Sequence, residues 1–223
     1  MISQTDICPR KHDKPGRQRA LIDAATAVFA EKGYDAATTR EIADRAGCSE
    51  GLIHRYFNGK RGLLMTLLEN KAQELAAELR SDLPVGESLA AEIEQILLWQ
   101  VETMWQRRDF MRTSISRATI DPELGRSLGE AINQHRLGAI AERLELQRAA
   151  GRIASKADVQ TAARVINGFS FAEGFMAQVV FAMPRDEVRD FCVRTAQLLA
   201  RGLSAGPTIK QLKQPNNCLG NLA

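Results

Sequence analysis

An all-α fold is what this sequence predicts, and three observations predict it. Apolar residues recur at three- and four-residue spacing along most of the chain. Sustained apolar–polar alternation and Asn-Gly hairpin turns do not occur. Proline, glycine and capping residues punctuate the pattern at helix-length intervals. With 223 residues, 44% of them apolar, the chain is long enough to bury a real core and has the make-up of an ordinary soluble globular protein.

The first helix runs from about Gly16 to Lys32, with Ile22, Ala25 and Phe29 on one face and Gly33 as a left-handed stop before Tyr34. Two short helical patterns follow within Thr38–Leu64. A longer helix then carries Leu64, Leu67, Leu68, Leu75 and Leu79 until the "SDLPVGES" stretch ends it. Ser88 or Glu87 opens the next, which buries Leu89, Ile93, Ile96, Leu97, Val101 and Met104 and reaches Arg107. Asp121 is placed to cap and Pro122 to start a long helix that stops near Ala150, before Gly151. Two more are expected, roughly Lys156 to Ala182 and Pro184 to Leu203. The expected organisation is a flexible basic arm (1–15), a three-helix unit (16–62), a larger helical body (63–204) and a loose polar tail (205–223).

The two short patterns carry the functional argument. Thr38 and Glu41 stand at capping-box spacing, Ile42, Ala43 and Ala46 make a narrow inward face, and Gly47 allows a sharp turn. Ser49 is placed to cap the second pattern, whose Ile53 and Phe57 point inward. Helices of two turns are marginal alone, but on helix one they share a core of Phe29, Ile42, Ala46, Ile53 and Phe57. That is helix-turn-helix geometry, in which the second helix projects as a rod for a DNA major groove. Arg40, Glu50, Leu52, His54 and Arg55 are left on the outward face, while Thr38, Thr39, Tyr56 and Lys60 sit at helix ends where phosphates can be met. Upstream, Arg10, Lys11, Lys14, Arg17 and Arg19 face one acid, Asp13. Such an arm can follow phosphates or enter a minor groove, and an ordinary solvated terminus is the equal alternative.

The segment from about Arg17 to Leu68 resembles the N-terminal DNA-binding domain of the TetR family of bacterial transcriptional regulators. The likeness rests on an ordered set: the apolar-Ala-Phe pattern of helix one, Gly33-Tyr34, Thr38, Ile42-Ala43, Ala46-Gly47, Tyr56-Phe57, and Lys60 followed by Leu63. The resemblance implies a homodimer on a palindromic, double-stranded operator, usually a repressor until a small molecule occupies the C-terminal domain. By position it nominates Thr38, Thr39, Arg40, Glu50, Gly51, Leu52, His54, Tyr56 and Lys60 for DNA contact; Ser49 and Arg55, on the same two helices, complete the candidate set. The sequence departs from the family pattern at Leu52, where a small or hydroxylated residue is common, and at His54, which replaces a usual tyrosine.

Beyond Arg80 the likeness is architectural only, and implies that the last two helices pair with their mates in a four-helix bundle. Phe171, Phe175 and Val179 with Gly168, and Val188, Phe191, Thr195 and Leu198 with Gly202, supply the expected stripes. A pocket is expected among Trp99, Thr103, Met104, Met111, Asn167, Phe169, Ser170, Glu173 and Met176, each of which reads equally as core. An inward Glu173 would favour a cationic effector; an internal arginine, Arg107 or Arg112, points as readily the other way.

Other classes fit less well. His12, His54 and His135 have no second ligand or base at helical spacing, and there is no phosphate loop or nucleophile motif, so neither enzyme, cofactor nor metal site is expected. Cys8 and His12 are too few to bind a metal, and Cys48 or Cys192 lacks the basic surroundings of a thiol switch. Four scattered cysteines, with no export or membrane-spanning pattern, suggest the cytoplasm. The alternative to a sensor is a DNA-binding dimer whose body is an interaction module without a small-molecule ligand.

Overall fold

The computed structural model describes residues 13–204, and every regular element among them is helical. The expectations for Cys8, His12, Cys218 and the polar tail fall outside the described residues, as does most of the basic arm. The helices are α1 (Lys14–Ala36), α2 (Thr39–Arg45), α3 (Gly51–Phe57), α4 (Lys60–Ser81), α5 (Leu89–Gln106), α6 (Arg108–Ile120), α7 (Pro122–Ala131), α8 (Gly138–Ala149), α9 (Val159–Phe171) and α10 (Arg185–Ser204). A π-helical segment, Ile132–Leu137, joins α7 to α8 without a break, and a second, Ala172–Val180, prolongs α9.

Local chemistry sets the boundaries. Asp13 accepts from the Gly16 N–H at 2.9 Å and Pro15 occupies the first turn, so α1 begins earlier than expected and already contains Lys14 and Pro15 of the basic arm. Gly33, at φ 77°, interrupts α1 where a side chain would be strained. Ser88 caps α5, and Asp121 caps α7 by accepting from Glu123 and Leu124. Residues 108–120, for which the spacing predicts no separate helix, form α6, set off from α5 only by non-helical Arg107. The penultimate helix starts at Val159 rather than Lys156, because Asp158 provides the cap.

Two large cores divide the molecule. In the first, Leu21, Phe29, Ile42, Ile53, Leu63 and Leu67 are wholly buried, and α7 reaches in with Leu124. Helices α2 and α3 contribute two buried residues each, Ile42 with Ala43 and Ile53 with Phe57. Burying a large apolar side chain stabilises by roughly 1.5–3 kcal/mol, so these anchors hold helices too short to persist alone. The second core joins α4, α5, α8, α9 and α10 through Leu79, Ile93, Ile96, Leu144, Ile166 and Val188.

One ion pair lies inside that second core. Arg143 donates to Glu92 at 2.5 Å and to the carbonyls of Leu79, Leu83 and Pro84, while the other Glu92 oxygen accepts from the Gly86 N–H and from Gln147. The pair ties the α4–α5 loop to α8, and these added hydrogen bonds offset the desolvation of its two buried charges.

Candidate nucleic-acid interface

The turn between α2 and α3 is fixed from three sides. The Thr38 hydroxyl accepts from the Glu41 N–H while Glu41 accepts from the Thr38 N–H, a complete capping box. Lys32 also donates to Glu41 at 2.6 Å and is the main cause holding that carboxyl below its usual range. Gly47 takes φ 61°, and the Cys48 N–H reaches back to the Ala43 carbonyl. After α3 the chain turns through left-handed Asn58 and Gly59 into α4. Gly62 then passes so near Phe57 that an added Cβ would lie 1.7 Å from its carbonyl oxygen, so α4 seats directly on the end of α3.

Of the nominated contact residues, Thr38, Arg40, Ser49, Glu50, Gly51, His54 and Arg55 are exposed on or beside this pair of helices, and Thr39 and Tyr56 are partly exposed. Three details differ from expectation. Ser49 does not cap α3: Glu50 already has helical angles, and Ser49 contributes only its carbonyl, to the Leu52 N–H. Leu52, expected on the outward face, is half-buried against the first core. Lys60 is turned inward, its ammonium donating to the carbonyls of Tyr34 (2.8 Å), Asp35 (3.3 Å) and Ala37 (2.8 Å) and standing 4.5 Å from the centre of the Tyr34 ring. These carbonyls are freed where Gly33 ends the regular part of α1, and a lysine is the side chain long enough to gather all three. On the exposed face Thr39 donates to Glu50 at 2.5 Å, binding the start of α2 to the start of α3.

The body departs further from expectation. Met104, Met111 and Met176 do come together, with Phe171, Phe175 and Val179, in a small third core. Trp99 and Phe169 pack on the second core instead. Thr103 and Ser170 are buried, and the Ser170 hydroxyl is satisfied by the Ile166 carbonyl of its own helix. Glu173 is partly buried and desolvation raises the pKa of its carboxyl, while Asn167 buries a carbonyl oxygen that has no partner among the described residues. The nominated pocket residues line neither of two recesses on the body. One, about 650 Å³, lies between Arg80, Val85, Glu142 and Leu146; the other, about 180 Å³, lies between Val101, Glu102, Gln178 and Arg185.

Among the residues nominated for a dimer contact, Phe175, Val179 and Val188 are buried inside the protomer and are unavailable to a partner, because the inward face of these helices is wider than one apolar stripe. Phe171 and Thr195 are half-buried, and Phe171 stacks on Phe175. Phe191 and Leu198 remain 44% and 68% exposed, joined by Val165, which is 46% exposed and absent from the sequence reading. Gly168 and Gly202 are exposed on the same two helices.

No helix among the described residues is long and apolar enough to cross a membrane, and none of their His, Cys, Asp and Glu side chains form a group of three able to hold a metal.

Comparison with known proteins adds to this geometry. The profile of bacterial regulatory proteins of the tetR family matches residues 21–66, and that of the AefR-like transcriptional repressor C-terminal domain matches residues 99–198. The HTH-type transcriptional repressor KstR2 of Rhodococcus jostii (strain RHA1) is 31% identical over 91 residues, covering 41% of this chain and 45% of that protein. The HTH-type transcriptional regulator YvkB of Bacillus subtilis (strain 168) is 26% identical over 199 residues, 86% of this chain and 99% of the relative. The chain thus spans under half the length of the first relative and nearly all of the second. The fold is shared with the transcriptional regulator FadR from Bacillus subtilis in complex with stearoyl-CoA: TM-score 0.64, 21% identity, covering 83% of this chain and 98% of that one.

Proposed function

The chain belongs to the TetR family of bacterial regulatory proteins, and from that membership we propose that it is a repressor that binds a palindromic operator as a homodimer and releases it when a small molecule occupies the helical body. One observation carries the reading: the backs of α2 and α3 are locked to the first core while Arg40, His54 and Arg55 stand exposed in front. Arginine forks suit guanine edges and phosphates, and Thr38, Ser49, Gly51 and Tyr56 lie at helix ends that phosphates can approach. Glu50 is engaged by Thr39 and can still accept from a cytosine amino group. The Lys60 ammonium, already committed to three carbonyls, serves the site by holding it rigid.

The homodimer reading is supported by exposed Val165, Phe191 and Leu198 on α9 and α10, which leave apolar surface for a second copy. A dimer would set the two α3 helices about one DNA turn, ~34 Å, apart. A small-molecule effector is supported by the occupied fold relative, which was solved with stearoyl-CoA. Footprinting of the DNA beside the chain's own gene tests the proposal. A symmetric protected site with half-sites one turn apart is expected; protection of a single half-site, or none, contradicts it.

A further inference from the structure

Arg136 lies in the π-helical segment between α7 and α8, which packs against α4 and α9. Its side chain makes no hydrogen bond or ion pair with any described residue. The side chain is partly buried, and the surrounding protein strips water from its guanidinium. The charge that acts on it is a second cation, Arg107, at the α5–α6 junction. Desolvation first, and Arg107 second, bring the Arg136 guanidinium down to about 10. Glu78 bonds Arg107 at 3.4 Å, so the three groups together carry one unbalanced positive charge.

Helix α9, which packs on this segment, and α5 and α6, which meet at Arg107, also bury polar atoms without partners among the described residues. Gln100 on α5 is 2% exposed, and neither its amide oxygen nor its nitrogen is bonded to a described residue; the Asn167 oxygen on α9 and the Ser114 hydroxyl on α6 are in the same condition. Protein interiors seldom leave such groups unmet, and polar atoms of this kind are what a ligand or ordered water satisfies. π-Helical turns, rare in general, are frequent at functional sites. One helical turn beyond Arg107 on α6 is Met111, which belongs to the methionine–aromatic core with Met104, Met176 and Phe171. Methionines give an apolar body an adaptable surface.

From this arrangement we infer that the effector is an amphipathic anion, its carboxylate or phosphate received by Arg136 and Arg107 and its apolar part laid against the Met104–Met111–Met176 cluster. The inference rests on the regulator reading above and gives that reading its ligand class. It selects between the two possibilities left by the sequence, an acidic effector for an internal arginine and a cationic one for Glu173.

Thermal-shift and calorimetric titration of the full chain with decanoate, decyl phosphate and decanol test it, beside the variants Arg136→Met and Arg136→Lys. One or both anions should raise the melting temperature and bind, with decanol at least tenfold weaker, and the preferred anion tells carboxylate from phosphate. Arg136→Met should lose about tenfold or more in anion affinity, the scale of a charge-assisted hydrogen bond, and Arg136→Lys should keep part of it. The melting temperature of ligand-free Arg136→Met should not fall, since an unpaired desolvated charge has been removed. Equal binding of decanol, no binding of either anion, or undiminished anion binding by Arg136→Met overturns the inference. Operator binding by the ligand-free chain, measured separately, shows whether the regulator reading itself has failed.

Discussion

Arg61 and Asp121 grip each other at two points, Nε to Oδ2 at 2.7 Å and Nη2 to Oδ1 at 2.9 Å, across 60 residues of sequence. Arg61 is in the first turn of α4, beside the turn that seats α3, and Asp121 is the cap of α7; Glu123 adds a third bond at 2.8 Å. A bidentate arginine–carboxylate pair fixes orientation as well as distance. Arg117 on α6 makes a second link, lying 5.1 Å from the Tyr34 ring centre and 3.4 Å from Asp35. A displacement of α6 or α7 is thereby carried to both sides of the proposed reading helices.

If Arg61 and Asp121 act as one unit, their effects on stability should overlap rather than add. Arg61→Gln, Asp121→Asn and the double variant should show nearly the same loss of melting temperature, since either single change already opens the grip. Additive losses in that cycle would mean the two residues act independently.

Acid should loosen the same link. The hydrogen bonds from Arg61 are the main cause holding the Asp121 carboxyl well below the usual carboxylate range; Arg80 does the same for Glu142, and the Thr161 N–H for Asp158. Ordinary carboxyls titrate near 4, so below about pH 4 the unfolded chain binds more protons than the folded one and stability falls as pH falls. Above that range the contribution is fully present. Melting temperatures between pH 7 and pH 3 should therefore drop steeply at the acid end, and less steeply in Asp121→Asn.

Lys60 should behave as a structural residue. Lys60→Met removes three carbonyl bonds and a cation–π contact, and leaves Tyr34 and Ala37 carbonyls short of partners, a loss of about 2 kcal/mol. Chemical denaturation should register that loss, while the salt dependence of DNA affinity keeps the wild-type slope. A slope reduced by about one, without loss of stability, would return Lys60 to direct phosphate contact.

Much of this was legible because it is local. Thr38 with Glu41, Gly33, Gly47 and the pair Asp121-Pro122 are punctuation marks whose chemistry needs only nearby residues, and each acts in the structure as its type and position suggest. Ser49 failed as a cap because Glu50 adopted helical angles first, a choice made by the turn rather than by propensity. The inward turn of Lys60 is not legible because its partners lie 23 to 26 residues away, and the Arg61 and Arg117 links span still longer separations. Val188 and Phe191 are three residues apart and both apolar. Only the packing of α10 on α5 decides that the first is buried and the second exposed. The place of Arg136 depends on the π-helical segment and the helices packed on it, neither of which local spacing reveals.

The proposed dimer face makes its own demand. Leu198→Glu, or Phe191→Asp, places a charge on surface that is already exposed in the protomer, so folding should survive. Sedimentation velocity should then show a monomer, against the dimer expected of the wild-type chain. A dimer that persists in both variants would move the interface elsewhere.

The most direct measurement is the affinity of the full chain for DNA from beside its own gene, by fluorescence anisotropy over a range of salt, with Arg40→Ala and Arg55→Ala in parallel. Nanomolar binding that both variants weaken by about 1–3 kcal/mol each, with folding and dimerisation intact, is the predicted result. Unchanged affinity in both variants, or no preference for that DNA over random sequence, would contradict the assignment of the exposed α2–α3 face as the surface that reads the operator.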